Sequence, residues 1–172
     1  MSSSTDVDCE MSASSSEPLF QTSSLNSLLL REDALIPINK LRHPDEADGL
    51  PIIQDSVEQW KALIRKGKFK KQHPFIAYVP EEEYNNNKCG PEGFNHHLYT
   101  SFIVVNGNQR LRALNEVAIE EQSDHIQHVK VEVYRPLCPY SIAILQANSK
   151  AESTIQKRIK FHHLLKSFRT KF

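Results

Sequence analysis

From residue 34 onward, apolar residues repeat along the chain with two different periods. Val129, Val131 and Val133 alternate with polar neighbours, which predicts a strand. Asp55 and Gly67 are the predicted N-cap and terminating residue of an amphipathic helix, because the apolar residues between them recur at helical spacing. In chain order the pattern predicts a strand around 35–38, a helix at 55–67, strands at 75–79 and 101–105, a helix directly after 105, a strand at 129–133, and helices at 139–148 and 153–168.

This order of elements predicts an α+β fold, in which helices pack on a small mixed sheet. The N-terminal part, 1–33, is Ser-rich and has too few large apolar residues to offset its ordering entropy, so we expect a disordered tail. The domain itself is predicted at 34–149, and a basic C-terminal helix at 150–172. The polar segment 81–97, between two predicted strands, is interpreted as an enlarged hairpin loop.

Composition limits the class of protein. The formal net charge is zero, yet residues 1–17 contain four acidic residues and no Lys or Arg, whereas residues 150–172 contain seven basic residues and one Glu. No apolar run approaches the ~20 residues of a membrane-spanning helix, and the start of the chain lacks the features of a signal peptide. Three widely spaced cysteines without a CxxC pair indicate neither a zinc site nor a disulfide framework. We therefore expect a soluble, intracellular protein, cytoplasmic or nuclear.

The segment 104–113 has the pattern with the most direct chemical meaning. A hydrophobic strand ends in a turn at Gly107, and a helix begins immediately afterwards. The first N–H groups of a helix have no intrahelical acceptor and the helix dipole is positive there, so such a turn is suited to an anion. Arg110 can bind a phosphate through two parallel hydrogen bonds, whereas Arg112 lies on another side of the helix. The same pattern also occurs where the glycine only shapes the turn and the arginine is only solvated.

The string at 107–113, Gly-Asn-Gln-Arg-Leu-Arg-Ala, resembles the Gly-Glu-Arg-Arg-x-Arg-Ala motif of the ParB N-terminal domain family. Residues 35–41 resemble the opening strand of that family, and residues 56–67 its first helix. The resemblance implies a ParB/sulfiredoxin-like fold with a nucleotide pocket, since ParB proteins bind CTP and the related sulfiredoxins bind ATP at the equivalent turn. The positions at which it implies nucleotide or phosphate contacts are Gly107, Asn108, Gln109, Arg110, Arg112 and Asn148.

The chain departs from both families at the turn. Asn108 stands where sulfiredoxins have a nucleophilic cysteine, and an amide cannot perform thiol chemistry, so reductase activity is not expected. Asn108 also replaces the acid of the ParB motif, and Gln109 replaces a basic residue. The second family motif, Glu-Asn-x-x-Arg, is matched only at Asn148. The resemblance therefore implies binding of CTP or ATP, with Mg²⁺ on the phosphates, more strongly than hydrolysis, and a weak NTPase activity stays open.

Two other functions remain open from the residues themselves. The neutral amides at 108 and 109 are consistent with a protein-interaction or regulatory domain that has kept the fold and lost the ligand, with the loop 81–97 as its contact surface. A nuclease would need a metal held by carboxylates, for which Glu116 and Glu132 are the candidates near the turn. The histidine pairs at 96–97 and 162–163 lack ligand spacing, so no metal site is predicted, and the oligomeric state is left open.

The basic C-terminal segment has two interpretations. Its side chains can neutralise phosphates of a nucleic acid without reading the sequence, or they can be solvated on a helix that packs on the domain. The candidate nucleic-acid contacts are Lys157, Arg158, Lys160, Lys166 and Arg169.

Overall fold

The structure is a computed structural model that describes residues 25–45, 50–69, 74–124 and 127–147, together with Lys166. Asn148 and the predicted C-terminal helix lie outside these ranges, apart from Lys166, which is helical and exposed. The elements are β1 (Leu29–Pro37), β2 (Leu41–Arg42), α1 (Gln54–Arg65), β3 (Phe75–Tyr78), α2 (Glu81–Asn86), β4 (Phe102–Asn106), α3 (Asn108–Glu120), β5 (His128–Tyr134) and α4 (Pro139–Ala147), with short 3₁₀ turns at Ile38–Lys40, Pro91–Gly93 and His96–Leu98.

The five strands form one mixed sheet in the order β1-β5-β3-β4-β2. β1 pairs with β5 and β3 with β4 in antiparallel fashion, whereas β5 pairs with β3 and β4 with β2 in parallel. Parallel neighbours need a crossover connection, and helices supply such connections. The prediction of an α+β fold with a small mixed sheet and packed helices is confirmed.

Both faces of the sheet are covered. Successive residues of a strand point to opposite faces, so Val104 and Val105 of β4 enter two separate cores. Val104 packs in the larger core with Phe75 of β3 and Leu111 of α3. Val105 packs in the smaller core with Ile144 of α4. β4 is therefore fixed from both sides directly before the Gly107 turn.

The N-terminal boundary of the folded part lies earlier than residue 34. β1 already begins at Leu29, and Leu25 and Leu30 are buried. β1 is an edge strand, as the proline at its end predicts, and it runs to Pro37. Residues 29–33, which the composition assigned to the disordered tail, are thus part of the sheet, because pairing with β5 supplies contacts that composition alone does not reveal.

The helix predicted at 55–67 is α1, and Gly67 ends it in a left-handed conformation with φ of 64°. The predicted N-cap is wrong: the capping position is Ile53, and Asp55 lies inside the first turn. Val57, one of the apolar residues at helical spacing between Asp55 and Gly67, is fully buried. Lys61 of the same helix is buried as well.

The segment 81–97 connects antiparallel neighbours, so the hairpin connection is confirmed, but it is a folded insertion and not a plain loop. It contains α2 and two 3₁₀ turns, and Phe94 inserts into the larger core against Tyr99 and Phe102. Glu83 of α2 anchors it, since its carboxylate accepts hydrogen bonds from the backbone and hydroxyl groups of Thr100 and Ser101.

Among the described residues, none of the helices has the length and apolar character to cross a membrane. Cys89, between β3 and β4, is a free thiol.

Candidate functional site

The candidate site is the turn between β4 and α3. Gly107 adopts φ of 107° and ψ of 13°, in the left-handed region that favours glycine. A Cβ at this position would overlap with Cδ1 of Phe75, which is buried in the larger core. Both the backbone conformation and the packed ring therefore require glycine here.

The first helical hydrogen bond of α3 runs from the N–H of Leu111 to the carbonyl of Gly107, at 2.8 Å. The three amides before it, those of residues 108–110, have no acceptor within the helix. They carry the positive end of the helix dipole, which is the physical basis of anion binding at helix starts.

Arg110 lies directly beside Gly107. Its Nη2 is 3.0 Å from the place a Cβ of Gly107 would occupy, and its guanidinium carbon is 4.5 Å from the centre of the Phe75 ring and 5.7 Å from that of Trp60. The side chain also donates a long hydrogen bond of 3.4 Å to the carbonyl of Pro74. Only 8% of Arg110 is exposed, so the positive charge is held against the turn by aromatic packing.

Asn108, the first residue of α3, is buried and bonded on both ends of its amide. Its Nδ2 donates to the carbonyl of Val104 at 3.1 Å, and its Oδ1 lies 2.9 Å from Nδ1 of His43. The side chain therefore fastens the helix start to β4 and to the chain segment after β2. The sequence analysis did not identify His43, which is 65 residues away from Asn108 along the chain.

Gln109 reaches back to the segment before α1. Its Oε1 accepts a hydrogen bond from the N–H of Ile53 at 3.0 Å, and its Nε2 donates to the carbonyl of Pro51 at 3.0 Å. Both ends of this amide thus bind backbone groups of the protein. Any contact between residue 109 and a ligand at the turn would come from its backbone N–H.

Arg112 is exposed on another side of α3, as its spacing from Arg110 predicts. Its Nε donates to Glu116, one turn further on, at 2.7 Å. The hydrogen bond from Arg112 is the main cause of a lowered pKa of Glu116, and Lys61 contributes in the same direction. Glu116 thus belongs to an ion-pair cluster between α1 and α3, whereas Glu132 accepts a hydrogen bond from Tyr134 on β5.

Among the described residues, His43 is the histidine that contacts Asn108 at the turn. Burial lowers the pKa of His43, the hydrogen bond with Asn108 opposes this effect, and the positive charge of Arg112 adds to the lowering. Its Nε2 is buried and has no hydrogen-bond partner within the described part of the chain. His43 could not have been found from a motif, since its position depends on the pairing of β2 with β4.

The remaining predicted contacts stay untested. Asn148, Lys157, Arg158, Lys160 and Arg169 lie outside the described residues, and Lys166 is exposed. Among the described residues, no group of three or more His, Cys, Asp or Glu side chains is arranged so that it could hold a metal ion.

No family model matches the chain, and no curated protein matches it. The crystal structure of the C-terminally truncated chromosome-partitioning protein ParB from Caulobacter crescentus, complexed with CTP-gamma-S, is similar to it with a TM-score of 0.46 and 13% sequence identity. The match covers 81% of this chain and 66% of that chain.

Proposed function

We propose that the chain binds the phosphate groups of a nucleoside triphosphate, CTP or ATP, at the start of α3. The observation that carries this proposal is the packing of the Arg110 guanidinium against Gly107, beside the first-turn amides of the helix. A buried cation next to amides without intrahelical acceptors is a favourable environment for a phosphate.

The roles of the individual residues differ from those implied by the family motif. In this proposal the backbone of residues 107–110 and the charge of Arg110 bind the phosphate, while the side chains of Asn108 and Gln109 hold the turn in place. Because the side-chain oxygens of Asn108 and Gln109 already take part in hydrogen bonds within the protein, a Mg²⁺ ion would be held by the phosphate oxygens and not by these side chains. Hydrolysis, nuclease activity and an association with DNA through the C-terminal basic residues stay predictions beyond this proposal.

Calorimetry with CTP and with ATP on the full chain tests the proposal. Arg110→Met keeps an unbranched apolar stem over Phe75 and removes the charge, and we expect it to weaken binding by roughly 10-fold or more, the usual effect of losing charge-assisted hydrogen bonds. Arg31→Met is the matched control, because Arg31 is exposed and lies far from the turn. It belongs to the edge strand β1, and two strands, β5 and β3, separate β1 from β4. This variant should bind like the wild type. The absence of heat with either nucleotide at millimolar concentration contradicts the proposal.

A second candidate function has an observation of its own. The side chains of Asn108 and Gln109 are each hydrogen-bonded to other parts of the protein at both ends of the amide, which is what a domain that has kept the fold without the ligand would show. The same calorimetry separates the two candidates, since a folded wild-type chain that binds neither nucleotide supports the ligand-free interaction domain. In that case the exposed side of the insertion at 81–97 is the candidate contact surface, because its inner side is anchored by Glu83 and Phe94.

A further inference from the structure

The end of the insertion brings together several groups that can carry a positive charge. His96 and His97 are consecutive in the 3₁₀ turn His96–Leu98, and the centres of their rings are 4.0 Å apart. Lys40, in the 3₁₀ turn after β1, donates hydrogen bonds from Nζ to the carbonyl of His96 at 3.0 Å and to that of Tyr99 at 2.9 Å. One ammonium group thus binds the end of the insertion to the connection between β1 and β2.

The surroundings of the His96 ring favour its neutral form. Nδ1 of His96 is buried and has no hydrogen-bond partner in the described part of the chain. A neutral ring can leave this nitrogen without a hydrogen, whereas the charged ring carries a hydrogen on both nitrogens. The charged ring would therefore bury an N–H group without an acceptor, on a residue whose carbonyl already binds an ammonium group.

We propose that the turn His96–Leu98 is a pH-sensitive latch of the insertion, which stays bound to Lys40 while the ring of His96 is neutral and separates from Lys40 when that ring takes up a proton. The inference goes beyond the proposed function and does not depend on nucleotide binding. The proton comes from solvent, and no covalent bond is made or broken. After release the charged ring is hydrated, so the cost of burying it is removed.

The electrostatics of the latch set the direction of its response. Burial is the main cause of a lowered pKa of His96, and the charges of His97 in the same turn, Lys40 after β1 and His128 at the start of β5 lower it further. An interaction of the ring with its own backbone acts in the opposite direction. The stability of the bound turn is therefore present above the ordinary pKa value of 6.5 and is lost as the pH falls through the lowered pKa of the folded state.

The latch and the anchor at Glu83 respond to different pH ranges. Glu83 holds Thr100 and Ser101, directly after the turn, and this anchoring weakens only below the ordinary value of 4.5. As the pH falls below 6.5, the turn is therefore released while the base of the insertion stays attached. The opening is local, and its equilibrium constant rises by up to about tenfold per pH unit.

Hydrogen-exchange NMR on the full chain between about pH 7 and pH 5 tests the latch. The amides of Leu98 and Tyr99 donate to the carbonyls of Asn95 and His96, and their exchange rates relative to the intrinsic rates at the same pH give protection factors. His96→Asn removes the titrating ring, and His97→Asn, at the exposed neighbouring position, is the matched control. As a second variant, Lys40→Met removes the ammonium group and keeps an unbranched apolar stem.

We expect the protection factors of Leu98 and Tyr99 to fall by up to about tenfold per pH unit in the wild type and in His97→Asn, and to stay constant in His96→Asn. Lys40→Met should show lower protection at pH 7 and a shallower dependence on pH. Constant protection in the wild type, or an equal fall in His96→Asn, would overturn the inference. Lys40→Met with the slope of the wild type would also overturn it, because the ammonium group would then play no part in the response.

Discussion

At Gly107 both the backbone conformation and the packing of the core exclude a Cβ atom. The positive φ excludes most side chains, and the ring of Phe75 fills the space in which a Cβ would lie. Arg110 then covers the other side of the glycine, with its guanidinium against the same ring. A single residue without a side chain thus brings an aromatic ring, a cation and a helix start together.

Gly107→Ala should destabilise the protein more than Gly67→Ala. Both residues have positive φ, but a Cβ at position 67 would meet no atom within 4 Å, whereas at position 107 it would overlap with Phe75. We expect about 1–2 kcal/mol for the left-handed conformation alone at Gly67, and roughly 1–3 kcal/mol more at Gly107 for the overpacking. Urea unfolding of the two variants measures the difference. Equal losses would show that the ring of Phe75 moves aside without cost.

Local features of the turn could be predicted from the sequence, whereas its long-range contacts could not. The change from strand to helix and the special backbone at Gly107 depend on neighbouring residues, and both are found as expected. Gln109 and Asn108, however, bond to groups 56 and 65 residues away, at Ile53 and His43. Such partners depend on how β2 and α1 pack beside α3, and no local periodicity contains that information.

At the scale of elements, α1 and α3 are joined by an ion-pair cluster around a buried lysine. Lys61 contacts Glu120 at 2.6 Å, Glu116 at 3.3 Å and Glu58 at 3.4 Å. The hydrogen bond with Glu120 is the main cause of a raised pKa of Lys61. Its stabilising effect is therefore fully present below the ordinary lysine pKa and is lost as the pH rises through the raised value. A buried charge that loses its partners is costly, so the cluster fixes how the two helices pack.

Lys61→Met should flatten the acid side of the stability profile. The pKa of Glu116 is lowered, so its contribution is present above the ordinary value of 4.5 and is lost as the pH falls through the lower value in the folded state. Without Lys61, one cause of the lowered pKa of Glu116 disappears. The free energy of unfolding should then fall less between pH 6 and pH 3 than it does in the wild type. Urea midpoints between about pH 6 and pH 3 measure the effect, with Lys66→Met, at an exposed position just after α1, as the control. Parallel profiles for the wild type and Lys61→Met would contradict the prediction.

One carboxylate, that of Glu83, anchors the insertion between β3 and β4 to Thr100 and Ser101. Burial alone would raise the pKa of Glu83, but the hydrogen bonds from Thr100 and Ser101 outweigh it, and the pKa is lowered. This anchoring is therefore present above the ordinary value of 4.5 and weakens as the pH falls through the lowered value. Glu83 is the last of three consecutive glutamates, and nothing in that run distinguishes the residue that contacts the chain 17 positions later.

Glu83→Gln should loosen the end of the insertion without unfolding the domain. The new amide nitrogen cannot accept a hydrogen bond, so at least one of the donors of Thr100 and Ser101 loses its acceptor. We expect the amide of Thr100 to exchange with solvent roughly tenfold faster, since hydrogen bonds to a charged group are worth about 1.5–3 kcal/mol. Hydrogen-exchange NMR measures this, and Glu82→Gln, an exposed neighbour on α2, is the control. Unchanged exchange at Thr100 would mean that the aromatic packing of Phe94 holds the insertion alone.

For the whole molecule, the sheet is covered by helices on both faces, and the site lies where β4 passes between the two cores. The order of elements was sufficient to predict the α+β class, because alternating strand and helix patterns leave few ways to cover a small sheet. The start of β1 and the folded state of the insertion were not predictable, since both are stabilised by contacts with distant strands. The fold gives the turn rigid surroundings, which a phosphate site requires.

The central claim is that the start of α3 is where a nucleotide phosphate binds, and NMR titration tests it residue by residue. On addition of CTP or ATP to the full, isotope-labelled chain, we predict that the amide signals of residues 107–110 shift the most and saturate together, while that of Arg31 on the far edge of the sheet stays in place. Saturating shifts in another region with the amides of residues 107–110 unmoved, or no shifts at millimolar nucleotide, would contradict the account.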